Sequence, residues 1–342
     1  MKKILSALAV CLLACGLFAS KAQSFPSRDG DDAAVSDSTS DSTSVDVIAY
    51  FEKGDTCDYW ITESKWDIIG TDTTQTAGIT TLVRLVVTDS TSAGYKMTYT
   101  FMDMQTDTTV GGIQNALVGR ITDLVRNMVA GTSVEFKTDE FGSILRFTNL
   151  EQIRKSAKSI FKESMKELKG VPEVKALKKM GFNLNSIARA VDTDDLVEGY
   201  VEELKLMFLC HGNSYDIGHV EEHEDASDGG YEADTYTTVS VNEDGSYAVD
   251  VEVVNIVPQE DFKTLFSVFA AGLLKDASVA EEFGKAFDGY VKDDGTLTDR
   301  IYIKCFDDGW PSEVVKQKFV KLGPLEKVSQ TYIGAYRFAQ KQ

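Results

Sequence analysis

The histidines of this chain, His211, His219 and His223, fall close together among Glu221, Glu222, Glu224 and Asp225. Side chains alternate faces along a strand, so His219, Glu221 and His223 would share one face and offer two imidazoles and a carboxylate to a divalent cation. The order is not that of the zinc proteases, whose glutamate directly follows the first histidine on a helix, and no third strong ligand stands beside the cluster. A solvated polar strand accounts for the same residues.

Further along, Asp307-Asp308-Gly309-Trp310-Pro311 has the composition of a turn, and Pro311 suits an edge strand. That leaves Trp310 as a group that could stack on a ligand. Lys155, Lys158, Lys162, Lys166 and Lys169 recur at helical spacing opposite an apolar stripe, which could dock on anionic lipid or an acidic partner. Glu163 and Glu167 dilute this charge, and a solubilising outer face explains it as well. No nucleophile stands with a base, and no glycine loop is built to cradle phosphate. A glycosidase carboxylate pair cannot be located by spacing among so many acids. No cofactor is implied.

These groups need elements to hold them. Val83, Leu85 and Val87 alternate with Leu82, Arg84 and Val86; Tyr95, Met97, Tyr99 and Phe101 alternate with Lys96, Thr98 and Thr100; and Asp89 to Gly94 between them supplies turn residues. Ile113, Leu117, Ile121, Leu124, Val125 and Met128 then recur at helical spacing, before a second hairpin turning at Thr138-Asp139-Glu140-Phe141-Gly142. The order recurs later, with a hairpin turning at Asn242 to Gly245, a helical run from Phe262 to Phe287, and a hairpin turning at Asp307 to Gly309. The expected class is α+β, with curved antiparallel sheet built from a weak duplication of hairpin, helix, hairpin and a helical insertion or cap between the halves. The expected divisions are a signal segment at 1–22, a Ser/Thr/Asp-rich leader at 23–46, a first β-rich half at 47–148, helices at 149–209 and a second β-rich half at 210–342.

Lys2 and Lys3 precede an apolar run from Ile4, and Ser20-Lys21-Ala22 supplies small residues at −3 and −1, so export with cleavage after Ala22 is expected. Leu12-Leu13-Ala14-Cys15 also has the form of a lipoprotein box, which would anchor the chain through Cys15. Cleavage removes three lysines and no acid, taking the net charge from −19 to −22. Phosphate would be repelled, which argues against a nucleic-acid partner. Beyond the signal segment no apolar run is long enough to span a bilayer. Cys57, Cys210 and Cys305 are odd in number and widely spaced, so they make no disulfide framework; packing is their expected role, with one bridge left open.

In Lys53-Gly54-Asp55-Thr56, Thr138-Asp139-Glu140-Phe141-Gly142 and Asp308-Gly309-Trp310-Pro311, the chain resembles uncharacterised exported proteins of Bacteroidota, over about Val47 to Phe338. That resemblance implies no known activity. It also makes the Asp-Ser/Thr-Thr triplets similar to periplasmic O-glycosylation acceptors of that phylum, which implies Ser38, Ser42, Thr73, Ser90 and Thr108 as sites. The functional expectation is a non-enzymatic periplasmic or cell-surface protein that binds an envelope partner or an apolar small molecule. A hydrolase of envelope polymers and a structural envelope component are the alternatives.

Overall fold

The computed structural model describes residues 43–106, 130–170, 193–226, 230–264, 291, 293–323 and 325–336. Strands dominate among them: β1 Ser44–Asp46, β2 Thr56–Ile69, β3 Asp72–Thr91, β4 Gly94–Thr106, β5 Ser133–Thr138, β6 Ile144–Phe147, β7 Ser214–Asp216, β8 Gly218–Glu224, β9 Glu232–Val241, β10 Tyr247–Val257, β11 Gly295–Cys305, β12 Pro311–Leu322 and β13 Leu325–Tyr336. Among the described residues two helices stand between β6 and β7, α1 Leu150–Gly170 and α2 Thr193–Met207.

Eleven strands form one antiparallel sheet in the order β6-β5-β4-β3-β2-β13-β12-β11-β10-β9-β8, and β1 pairs separately with β7. Neighbours in this order are neighbours in sequence except at the centre, where β2 lies against β13 with Ile61 opposite Ile333. The α+β expectation with a helical insertion is therefore corrected: the protein is mainly β, and its two halves are one sheet. The expectation failed because β2 and β13 show no clean alternation. Trp60 and Trp66 stand on the opposite face of β2 from Tyr59 and Ile61, so the period of two is hidden in an almost unbroken mixture. The helical runs expected at 113–128 and beyond 264 lie outside the described residues; residues 259–264 are helical. The leader ends earlier than expected, since Ser44 to Asp46 already pair with Asp216 to Ser214.

The sheet must curl, and the reason is geometric. The turns of the β5–β6 and β11–β12 hairpins belong to strands five places apart in the order from β5 to β12, about 24 Å if flat. Yet both reach one short segment: the Ala49 N–H donates to the Phe141 carbonyl at 2.9 Å, and the Tyr50 N–H donates to the Asp308 carbonyl at 3.0 Å. Residues 47–51 thus strap one end of the curl. Gly309, at φ 84°, is required where the strap crosses, because a Cβ there would run into the Ile48 carbonyl.

One face of the curl holds the core. Cys57, Tyr59 and Ile61 of β2, Val83, Leu85 and Val87 of β3, Met97, Tyr99 and Phe101 of β4, and Val249, Ile303, Val314 and Ile333 from the other half are all buried in a single cluster. Helix α2 lies against this concave face through Val197, Val201, Leu204 and Met207, a spacing of three and four that makes one stripe. Burying each such side chain is worth about 2 kcal/mol, which fixes the helix where its intrinsic propensity would not. On the convex face Arg84 clamps the buried Asp58 with two bonds of 2.7 and 2.9 Å.

Candidate functional site

Along the concave face the residue type changes abruptly. Inward positions of β2 run Cys57, Tyr59, Ile61 and then Glu63, Lys65, Asp67. The same break occurs on β13, from Ile333 to Thr331, Ser329 and Lys327, and on β12, from Val314 to Lys316 and Lys318. Cross-strand register stacks these changes at one level, since Glu63 faces Thr331, which faces Lys316. One end of the concave face is a closed core and the other is charged.

The charges are paired. Lys327 Nζ is 3.1 Å from Asp67, Lys318 Nζ is 3.4 Å from Asp299, and Lys316 Nζ reaches across to Glu202 of α2 at 2.6 Å. The Lys327 and Asp299 side chains are only 17% and 16% exposed, unusual for these residue types unless they are paired. Beside them on β10, β11 and β12, the inward positions Val251, Val253, Ile301, Leu297 and Val320 are apolar, interrupted by the inward Asn255 and by Asp299. The upper concave face is therefore amphipathic.

At the boundary between the two zones sits a carboxyl pair. Glu203 of α2 hydrogen-bonds Glu63 of β2, and its pKa is pushed up to about 8, first by burial and then by the Glu63 charge. The same two carboxylates, after burial itself, raise the Tyr99 phenol, whose hydroxyl has no hydrogen-bond partner among the described residues. At neutral pH Glu203 thus holds a proton and donates it to Glu63. Retaining and inverting glycosidases keep their two carboxyls about 5 to 9.5 Å apart to admit a sugar or a water. Glu203 and Glu63 lie within hydrogen-bonding reach of each other, closer than either arrangement.

The residues singled out from sequence lie elsewhere. His219, Glu221 and His223 do share one face of β8, but it is the convex one, with Thr238, Tyr236 and Asp234 opposite them. Each imidazole is already engaged: His219 with Thr238 at 2.8 Å and Glu221 at 3.1 Å, His223 with Asp234 at 2.8 Å. The Asp234 bond raises the His223 pKa. Among the described residues no three His, Cys, Asp or Glu side chains are grouped to hold a metal ion. Trp310 is 3% exposed, with its ring 4.4 Å from that of Phe51, so its indole belongs to the core and is not presented to a ligand. The turn at Asp307 to Gly309 points it inward. Thr73 is exposed at the start of β3, whereas the Ser90 hydroxyl donates to the Phe51 carbonyl at 3.2 Å. Ser38, Ser42 and Thr108 lie outside the described residues.

His211 is the buried histidine. Its Nε2–H donates to the Gly309 carbonyl at 2.9 Å, which leaves Nδ1 as a buried acceptor without a partner among the described residues. Burial brings its pKa down to about 4. With Ser143 Oγ donating to the His211 carbonyl at 2.9 Å, this residue ties both hairpin turns together under the strap. Cys57, Cys210 and Cys305 are buried free thiols, and burial drives Cys210 up to about 12, far from reactive thiolate.

The charged concave zone was missed by motif reasoning because it has no motif. Its only signal is a strand whose inward alternation turns from apolar to charged partway along.

No family model matches the chain, and no curated protein matches it. Among solved structures it is similar to lipovitellin, from a study of lipid–protein interactions, at 10% identity and a TM-score of 0.37, covering 85% of this chain and 26% of that one. It is also similar to a porin-like protein of Bacteroides uniformis, at 7% identity and a TM-score of 0.16, covering 81% of this chain and 95% of that one. The chain spans about a quarter of the lipovitellin chain it matches. Overlaps this loose carry no inference about activity. Among the described residues no helix is long and apolar enough to cross a membrane, which says nothing of strands.

Proposed function

We propose that this chain is an exported, non-enzymatic binding protein whose concave face takes an amphipathic ligand. One observation carries the reading: the inward face of β2, β12 and β13 changes from buried apolar to charged at one level, next to an apolar patch on β10 and β11. A sheet face meant only for packing would stay apolar, because burying a charge is costly even when it is paired. The lysines at 316, 318 and 327 would meet the polar end of the ligand by exchanging their carboxylate partners. Val251, Val253, Leu297 and Ile301 would hold its apolar portion.

The hydrolase reading has less support, since Glu203, the carboxyl whose pKa is pushed up among the described residues, lies within hydrogen-bonding reach of Glu63. The test is organic extraction of the purified mature protein followed by mass spectrometry, together with uptake of an environment-sensitive fluorescent fatty acid. Retained lipid, lost in Val253→Asp and Ile301→Asp variants that keep their circular dichroism, is the expected result. A protein that yields no lipid and takes up no probe is not such a carrier.

A further inference from the structure

Helix α1 carries a feature that ligand binding does not use. Lys155, Lys158, Lys162 and Lys166 are all exposed. At 100° per residue they fall within an arc of about 80°, and at 1.5 Å rise they extend over about 16 Å. The helix cannot roll to hide them. Ile153 is buried on its other side, and Arg154 is bonded at 2.7 Å to both Glu151 and Glu198 of α2. The one arginine of the helix is thus turned toward the protein, and the outward arc holds these lysines with the exposed Glu151, whose carboxylate Arg154 takes up.

We propose that this row is a docking surface for an anionic lipid bilayer. Charge complementarity selects the partner. A straight row of flexible ammonium groups without aromatic or arginine anchors is unlike a protein interface, where lysine is depleted and aromatics and arginine are enriched. It suits a fluid surface of phosphates, to which each lysine contributes electrostatically without fixed geometry. The chain's overall acidity does not cancel the attraction. Charges more than about 8 Å from the contact are screened at physiological ionic strength, so the bilayer meets the row before it meets the whole molecule. Among the acids of α1, Glu151 is held by Arg154, Glu163 lies about 60° round the helix from Lys166 at the edge of the arc, and Glu167 falls about 100° beyond that lysine.

The experiment is flotation of the purified mature chain with vesicles of phosphatidylglycerol and phosphatidylethanolamine, and separately with phosphatidylcholine alone. Binding is expected to the anionic vesicles only and should disappear in high salt. Each lysine is worth about fivefold in affinity at an anionic surface. Lys155→Gln with Lys162→Gln should therefore weaken binding about 25-fold, whereas Lys53→Gln with Lys321→Gln, exposed lysines elsewhere, should leave it unchanged. Equal loss in both pairs, equal binding to phosphatidylcholine, no flotation at all, or equally tight capture by soluble polyglutamate would each overturn the proposal. None of these outcomes bears on whether the concave face holds a ligand.

Discussion

Replacing Glu203 by glutamine should flatten the protein's loss of stability on the alkaline side of neutrality. In the fold this carboxyl titrates at about 8, against an ordinary value of 4.5. A group whose pKa is raised by folding contributes fully below its unfolded value, and that contribution drains away as pH climbs to the folded one. Glu203 therefore costs stability progressively from pH 4.5 to about 8. His211 acts in the opposite sense: its pKa falls from 6.5 to about 4, so its contribution is complete above pH 6.5 and is lost as pH drops toward 4. The two slopes oppose each other below pH 6.5. The window from pH 6.5 to 8 belongs to Glu203, and one and a half pH units at about 1.4 kcal/mol each make about 2 kcal/mol. Urea titrations at intervals across that window should show the wild type losing about this much. Glu203→Gln keeps a donor for Glu63 and should hold nearly level. The exposed His223, raised by Asp234, titrates in both proteins and cancels in the difference. Parallel declines in wild type and variant would refute the assignment of burial to Glu203.

Between pH 6.5 and about 4, by the same reasoning, the wild type should lose stability relative to His211→Leu by about 3 kcal/mol, read as converging urea midpoints. Gly309→Ala should destabilise by roughly 2 to 4 kcal/mol, since positive φ and a collision with the Ile48 carbonyl add. Gly54→Ala, with positive φ but nothing within 4 Å of the added Cβ, should cost only about 1 kcal/mol. Equal melting temperatures for the two glycine variants would remove the strap from the account.

The hairpins were legible because their corners are chemical. Asn242 to Gly245 and Asp307 to Gly309 combine a side-chain acceptor with a glycine at positive φ, and the strands turn there. The β3–β4 corner is tighter than the sequence suggested, with Thr91 already opposite Gly94. What stayed hidden is the middle of the sheet. Strand β13 presents Lys327 and Ser329 inward and Val328 and Tyr332 outward, so its pattern has no apolar face to read. Its place is set by β2 and β12 on either side, a tertiary cause that leaves no local trace. The concave site shares this origin, being made of inward charges contributed by strands far apart in sequence. Conversely, the histidine group of β8 was conspicuous by composition, yet the strand turns it away from the concave face.

The pairing of β2 with β13 has a further consequence for how the molecule comes into being. The central seam joins the first long strand to the last, and the strap ahead of β2 must find a corner formed by β11 and β12. Contacts of such long range form late and slowly. Until β13 has been made, one edge of β2 has no partner and the two halves of the sheet cannot join. The topology thus holds back the closing of the sheet until β13 is in place.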